Sequence, residues 1–146
     1  NLEFQQQFEN MVFDNILLFN VLEHIYNFKN CLNNCYLLLA KKSILYGSTP
    51  FLFRIHGSPN DYFRYTEQSL LLALEEAGFK DIKIKVLAGG IFISFFSSFS
   101  TFTDKIPLFN NILLIFCQLL DKLISLFSKK TKYLFPIGYF FYAKKI

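Results

Sequence analysis

The chain has 146 residues, of which 53% are hydrophobic, so it can hold one domain with a buried core and is too short for two ordinary domains. Its formal net charge of +4 comes mostly from scattered lysines, without an arginine-rich patch or a basic stripe interleaved with aromatic residues, so nucleic acid is not the expected partner. Residues 1–10 lack a basic region followed by an apolar run, so we do not expect them to be a signal peptide. We expect the protein to be cytoplasmic.

The first half of the chain predicts a strand, a helix and a second strand. Residues 13–20 form a short apolar run bounded by polar residues, which is typical of a strand buried on both faces. Residues 27–39 carry apolar side chains at helical spacing and predict an amphipathic helix. Residues 43–49 are the next strand, which Pro50 ends. This order predicts a right-handed parallel unit.

The next segment predicts a capped helix followed by a strand. The Thr66 hydroxyl can accept a first-turn N–H group, and Glu67 complements the positive end of the helix dipole. Gly78 suits the left-handed stop of this helix. The buried stripe is predicted to comprise Leu70, Leu71, Leu74 and Ala77. Residues 81–87 alternate Ile or Val with Lys, which predicts a strand with one solvated face.

The C-terminal third contains an apolar helical insertion at about 91–130, and residues 138–146 predict a final strand. Within the insertion, residues 107–127 form an apolar segment with one narrow polar stripe, and lysines follow at 129, 130 and 132. Three interpretations are open: a helix packed on the sheet or on a second subunit, a helix lying in a membrane surface (residues 107–132), and a spanning helix. Asp121 and Lys122 count against spanning.

Polar side chains gather at the ends of the first two predicted strands. Asn20, Glu23 and His24 follow the first strand, and the loop after the second contains His56, Asp61, Tyr62 and Arg64. Open α/β sheets bind ligands at the carboxyl ends of neighbouring strands. We therefore expect the corner and the loop to face each other and to form a ligand site.

The candidate catalytic residues are His24, His56 and Asp61. His24 can act as a general base on an acceptor hydroxyl, and His56 or Asp61 can contact the same hydroxyl. Alternatively, Glu23 and His24 cap the following turn and pair with each other. The candidate substrate-binding residues are Tyr62 and Arg64, with Arg64 binding a carboxylate or phosphate. Alternatively, Arg64 pairs with Asp61 and fixes the loop.

The three cysteines, Cys31, Cys35 and Cys117, predict neither a disulfide framework nor a zinc site. Cys31 and Cys35 share a helix face, but no further Cys or His stands nearby in sequence to complete a ligand set. We expect free thiols in a reducing compartment and no metal centre.

Two sequence blocks resemble the second half of a class I S-adenosylmethionine-dependent methyltransferase of the small-molecule type (methyltransferase type 11-like). The first, FDNILLFNVLEH, begins at Phe13 and ends at His24. The second runs from Pro50 to Thr66 and contains Phe51, His56, Pro59, Asp61, Tyr62 and Arg64. The resemblance implies an α/β, Rossmann-like sheet in the order 3-2-1-4-5-7-6 with flanking helices and an antiparallel last strand. Residues 1–146 would supply the C-terminal part, strands 4, 5, 7 and 6.

The resemblance also implies a reaction: methyl transfer from S-adenosylmethionine to an oxygen or nitrogen of a small-molecule or glycan-type acceptor. It places Asn20, Leu22 and Glu23 under the methionine part of the cofactor. The glycine-rich loop and the ribose-binding acidic residue of the family are absent from this chain, since no glycine precedes Gly47. The family's glycine turn before strand 5 is replaced by residues 40–43, so a lysine is expected to adopt a positive φ there.

Whether this chain acts alone as an enzyme is left open by the sequence. We expect it to bind the cofactor weakly by itself, and to dimerise or to require the N-terminal half of the fold. The alternatives to an enzyme are an inactive truncated remnant and a membrane-associated interaction module, the latter peripheral at the inner face of the membrane.

Overall fold

The computed structural model describes residues 11–57, 59–103 and 105–146, so the interpretation of residues 1–10 concerns a segment outside this part of the chain. The elements follow in the order β1 (Phe13–Phe19), a single 3-10 turn (Leu22–His24), α1 (Phe28–Leu38), β2 (Leu39–Pro50), α2 (Glu67–Glu76), β3 (Lys80–Gly89), α3 (Ile91–Thr103), α4 (Pro107–Phe127), α5 (Thr131–Leu134) and β4 (Pro136–Lys144).

The four strands form one sheet in the order β1-β2-β4-β3, which confirms the predicted order 4-5-7-6. Strands β1 and β2 are parallel, with Leu17 opposite Tyr46. The N–H of Lys42 donates to the carbonyl of Lys145 at 2.9 Å, and the N–H of Lys145 donates to the carbonyl of Ser43 at 2.9 Å. Because the start of β2 thus meets the end of β4, β4 is antiparallel to β2.

The chain divides into two compact units. The first contains the described residues up to Pro50 together with His56–Lys85 and Phe140–Ile146, and the second contains Phe51–Ile55 and Val86–Tyr139. The core of the first unit is built from fully buried side chains of the strands, of helices α1 and α2, of the 3-10 turn and of the segment between α2 and β3, among them Leu22, Leu32, Leu45, Leu74, Phe79 and Phe141.

Helix α2 begins and ends as predicted, and its buried face differs at one position. The Thr66 hydroxyl accepts a hydrogen bond from the Ser69 N–H at 3.2 Å, and Gly78 adopts a φ of +96°. The prediction that Leu71 is buried is wrong. Successive helix positions are rotated by about 100° around the axis. The face that buries Leu70 and Leu74 therefore also buries Ala73, whereas Leu71 turns toward solvent.

The prediction that the first strand is buried on both faces is also wrong. Of the seven residues of β1, only Leu18 is buried, while Leu17 and Phe19 are 60% and 50% exposed. Burial on both faces requires packed elements on both faces. The side of the strand that carries Phe19 is covered only in part, by a stacking contact with Phe140 at 6.4 Å between ring centroids.

Strand β2 starts earlier than the predicted residues 43–49 and contains an irregularity at its beginning. Lys42 has a φ of +67°, and the register against β1 shifts between Phe13 and Asn15. The expectation of a lysine with positive φ before this strand is therefore confirmed. This conformation costs a non-glycine residue roughly 1–2 kcal/mol, which the surrounding sheet must offset.

In the second unit, α3 and α4 pack against each other. The Asp121 carboxylate on α4 accepts hydrogen bonds from the N–H groups of Phe92 (3.1 Å) and Ile93 (2.7 Å), which satisfies two unpaired donors at the start of α3. Helix α4 is long and apolar enough to cross a membrane by length and composition, and 6% of its most apolar window is buried.

We expect the protein to self-associate through the edge of β1. Among the described residues this strand pairs only with β2, and it carries exposed Leu17 and Phe19 beside unpaired backbone groups. Leu17→Lys should reduce the associated fraction measured by light scattering, because a charge on an edge strand opposes pairing. Leu72→Lys in α2 is the control, since Leu72 is similarly exposed, at 58%. A monodisperse wild-type monomer, or equal effects of both substitutions, would contradict this expectation.

Candidate functional site

The corner after β1 is fixed to the carboxyl end of β2. The chain turns at Asn20, which adopts a φ of +52° that asparagine tolerates better than most residues. The Asn20 N–H donates to the carbonyl of Ser48 at 2.9 Å, and its side-chain oxygen accepts from the Ser48 hydroxyl at 2.9 Å. The 3-10 turn Leu22–His24 follows directly, so its side chains have a defined position relative to the two strands.

The loop after β2 meets this corner, as the sequence predicts. The Tyr62 N–H donates to the carbonyl of Glu23 at 2.7 Å, and Nδ1 of His24 lies 2.6 Å from the carbonyl oxygen of Asn60. The rings of His24 and His56 lie edge to face, with centroids 5.0 Å apart. The two histidines come from different segments, and the structure places them at one site.

A buried carboxylate lies beneath the two histidines. The Glu23 side chain is fully buried, and neither of its carboxylate oxygens has a hydrogen-bond partner in the described part of the chain. Its Oε1 lies 3.8 Å from Nε2 of His24 and 3.7 Å from Nε2 of His56. Burial raises the pKa of Glu23, while the neighbouring imidazoles act in the opposite direction. The Glu23–His24 pair considered from the sequence is thus a close approach without a hydrogen bond.

Asp61 and Arg64 form an internal pair within the loop. Arg64 donates from both guanidinium nitrogens to the two Asp61 oxygens, with Nη2 at 2.6 Å from Oδ2. Asp61 Oδ2 also accepts from the His56 N–H at 2.9 Å and lies 3.3 Å from Nδ1 of His56. The guanidinium hydrogen bond holds the pKa of Asp61 well below its usual range. The structure contains the Asp61–Arg64 pair that fixes the loop, and the binding of a substrate carboxylate or phosphate by Arg64, which is compatible with this pair, stays a prediction.

The remaining predicted residues differ in their exposure. Asn20 and Tyr62 are exposed, and the Tyr62 ring packs edge to face on Tyr26 at 5.4 Å. The Leu22 side chain is fully buried, and its carbonyl accepts from the Tyr65 hydroxyl at 3.0 Å. Burial raises the pKa of that hydroxyl. A ligand at the surface would thus reach Asn20 and Tyr62 directly, but not the Leu22 side chain.

Sequence reasoning missed several residues that build this site. Ser48 and Asn60 supply a hydroxyl and a carbonyl to the corner, and Tyr65 anchors the carbonyl of Leu22. A hydroxyl-bearing residue near the carboxyl end of a strand, as at Ser48, is the signal that could have indicated the first. The role of Asn60 rests on its backbone carbonyl, which leaves no signal in the side-chain pattern.

No protein-family model matches the chain, and no curated protein is similar to it in sequence. Solved structures are similar in fold. A SAM-dependent methyltransferase from Archaeoglobus fulgidus has a TM-score of 0.56 at 17% identity, with 92% of this chain and 60% of that chain covered. Phosphoethanolamine N-methyltransferase 2 from Haemonchus contortus, in complex with S-adenosyl-L-methionine, has a TM-score of 0.54 at 16% identity, with 91% and 33% covered. The [4+2]-cyclase SpnF has a TM-score of 0.50 at 13% identity, with 92% and 50% covered.

The chain has the fold of the class I methyltransferases. It covers between 33% and 60% of the length of these three proteins. Since SpnF is a cyclase with the same fold, the fold alone does not fix the reaction. The chemistry must be argued from the site: two imidazoles, a buried carboxylate and an arginine-bound aspartate at the carboxyl ends of β1 and β2.

Arg64→Lys is expected to destabilise the protein by about 1.5–3 kcal/mol, because an ammonium group cannot form the two parallel hydrogen bonds to Asp61. Thermal unfolding followed by circular dichroism should show a melting temperature several degrees lower, at roughly 2–4 °C per kcal/mol for a chain of this size. Arg54→Lys is the control, because the Arg54 hydrogen bond to the Thr101 hydroxyl, at 3.1 Å, is exposed and is made to a neutral acceptor rather than to a carboxylate. An unchanged melting temperature for Arg64→Lys would contradict the stabilising role of the pair.

Proposed function

We propose that this chain is the acceptor-side part of an S-adenosylmethionine-dependent methyltransferase acting on a nitrogen or oxygen of a small-molecule or glycan-type acceptor. The observation that carries the proposal is the joining of the corner at Asn20–His24 to the loop 56–65 in a methyltransferase-type fold. That edge of the sheet is where open α/β folds bind their ligands. The Haemonchus contortus enzyme of similar fold was solved with S-adenosyl-L-methionine bound, which supports the choice of methyl donor.

The residues of this chain fit the cofactor in part. Asn20 is exposed at the end of β1 and can offer its side-chain amide to the methionine portion, whereas the Leu22 and Glu23 side chains are buried. S-adenosylmethionine supplies an electrophilic methyl group when it is bound. The glycine-rich loop and the ribose-binding carboxylate that would hold the rest of it are not among these 146 residues.

The roles of the other site residues follow from their positions. The His24 and His56 imidazoles are partly exposed, at 23% and 31%, so either can accept a proton from an acceptor hydroxyl or amine above the corner. Asp61 orients His56 through its backbone N–H and the ring nitrogen Nδ1. Tyr62 offers an exposed ring and hydroxyl to the acceptor. Positioning and deprotonation are the two contributions that methyl transfer requires of the protein.

A membrane-surface role is a second candidate, favoured by the exposure of α4. Its exposed apolar side chains are Leu108, Phe109, Ile112, Ile115, Phe116, Leu119, Leu123, Leu126 and Phe127. Lysines at 129, 130 and 132 follow the helix, which is the arrangement of a helix lying in an anionic lipid surface. On this proposal the protein is peripheral at the inner face of a membrane and otherwise cytoplasmic.

The cofactor proposal predicts weak but localised binding of S-adenosylhomocysteine, the product of methyl transfer. Saturation-transfer NMR at millimolar ligand should detect contact, and calorimetry should give an affinity weaker than micromolar, because the glycine-rich loop and the ribose-binding carboxylate are not among these 146 residues. Asn20→Gly should reduce the NMR signal while preserving the positive φ. Asp81→Gly is the control, since Asp81 also has a positive φ of 49°. Absence of any transfer, or an equal loss in both variants, would overturn the assignment of Asn20.

The membrane proposal predicts that the protein co-sediments with anionic vesicles, and that added salt weakens this binding. Replacing Lys129, Lys130 and Lys132 together by Gln should lower vesicle affinity, at about 1 kcal/mol for each lysine near the surface. The control is the triple replacement of Lys80, Lys83 and Lys85 in β3 by Gln, which changes the net charge equally. Equal binding to neutral vesicles, or equal effects of both triple variants, would contradict an electrostatic contribution from the segment after α4.

A further inference from the structure

Three potential metal ligands converge at the corner, and the fold by itself gives them no role. Glu23, His24 and His56 each offer one ligand atom, and these atoms lie within 4.8 Å of one another. The nitrogen-to-oxygen distances of 3.7 and 3.8 Å are too long for hydrogen bonds. They suit two ligands of one cation, because Zn–N and Zn–O bonds are each about 2.0–2.2 Å long.

The Glu23 carboxylate supplies an independent observation. It is fully buried, and within the described ranges both of its oxygens lack a hydrogen-bond partner. An unsatisfied buried carboxylate is costly unless it is paired or bound to a metal ion. Its Oε1 is the atom that both Nε2 nitrogens approach, so the unpaired group faces the space between the two imidazoles.

The outer partners of the histidines match those of metal-binding imidazoles. Nδ1 of His24 lies 2.6 Å from the Asn60 carbonyl oxygen, and Nδ1 of His56 lies 3.3 Å from Asp61 Oδ2. A proton on each Nδ1 would leave the lone pair of each Nε2 directed at Glu23. A carbonyl or carboxylate on the second ring nitrogen is the usual arrangement around metal-bound histidine, because it fixes the tautomer and the ring orientation.

The charges and the chemistry of the donors select the kind of ion. Glu23 and Asp61 carry two negative charges against the positive charge of Arg64, so a divalent cation is accommodated without a large excess of charge. Two imidazoles with one carboxylate favour a first-row transition metal over Mg²⁺ or Ca²⁺, which prefer sets made entirely of oxygen. Cys31 and Cys35 are less suited, since their mutual hydrogen bond and burial raise the pKa of Cys35.

We infer that Glu23, His24 and His56 bind one divalent transition-metal cation, with Zn²⁺ preferred, and that a remaining coordination position faces solvent at the partly exposed imidazoles. The bound ion would cross-link the corner after β1 to the loop after β2 and present a site for water or for an oxygen of the acceptor. The inference does not depend on the proposed methyl transfer, because the ligand set belongs to this chain alone. With the ion bound through both Nε2 atoms, neither imidazole has a free lone pair, so metal binding and the general-base role of the histidines are alternative uses of the same site.

Metal titration without any cofactor tests the inference, with Co²⁺ as the optical probe and Zn²⁺ as its competitor. We expect the tag-free protein to bind one Co²⁺ per chain with visible absorption, Zn²⁺ to displace it, and Mg²⁺ to have no effect. The melting temperature should rise with Zn²⁺ concentration and not with Mg²⁺. This second measurement requires no variant. If the wild-type protein shows neither visible absorption with Co²⁺ nor a higher melting temperature with Zn²⁺, the metal site is overturned and the cofactor proposal is unaffected.

Matched variants assign the ligands. His56→Gln and Glu23→Gln should each weaken Co²⁺ binding at least roughly tenfold, and Asp61→Asn should weaken it by about 10–100-fold through the orientation of His56. Glu76→Gln is the control, because its exposed carboxylate pairs only with Lys29, at 2.7 Å, among the described ion pairs. Circular dichroism of each variant checks folding. Unchanged binding in both ligand variants, or near-ultraviolet thiolate-to-cobalt absorption, would place the ion elsewhere and refute the assignment.

Discussion

The Asp61 carboxylate organises the loop on which the candidate site depends. One buried group accepts hydrogen bonds from two guanidinium nitrogens of Arg64 and from the His56 N–H, and it lies beside the His56 ring. With this carboxylate in place, the loop leads to the Tyr62 N–H bond with Glu23 and to the Asn60 carbonyl beside His24. Without a charged acceptor at this point, the His56 and Arg64 donors would need other partners. The loop would then no longer be held in the conformation that contacts the corner.

Much of the first unit could be predicted from the sequence because its signals are local. The Thr66 cap, the Gly78 stop and the alternation in β3 each depend on neighbours within a few positions. The strand order followed from the resemblance of two sequence blocks rather than from periodicity. Burial was less predictable: Leu17 and Phe19 in β1 are as apolar as Leu18, and only the number of elements packed on each face separates them.

The candidate site could be predicted in its location but not in its internal contacts. Parallel strands bring their carboxyl ends to one edge, so the meeting of the corner and the loop follows from topology. The burial of Glu23 close to both Nε2 nitrogens depends on the course of the loop after β2. No local sequence pattern encodes this course. The Asp61–Arg64 pair lies between these cases, because its members stand three positions apart and their opposite charges are visible in the sequence.

In the second unit, α4 is apolar and largely exposed, while its Asp121 side chain is half-buried against α3. One side of α4 thus packs against α3 through the Asp121 carboxylate, and another side exposes leucine and phenylalanine side chains to solvent. An extended apolar surface of this kind in a soluble protein usually marks a binding surface. Phe95 and Phe99 in α3 stack with centroids 5.4 Å apart and are also exposed, so α3 contributes to the apolar surface of this unit.

His24 and His56 are the two histidines of the whole chain, and both lie at the junction of the corner and the loop. Every imidazole signal in a proton spectrum of the protein therefore reports on that junction. Opening of the loop, arrival of a ligand or a change of tautomer could be followed on two resonances without isotopic labelling of other residues. The composition of the chain thus provides its own spectroscopic probe at the place where its chemistry is expected.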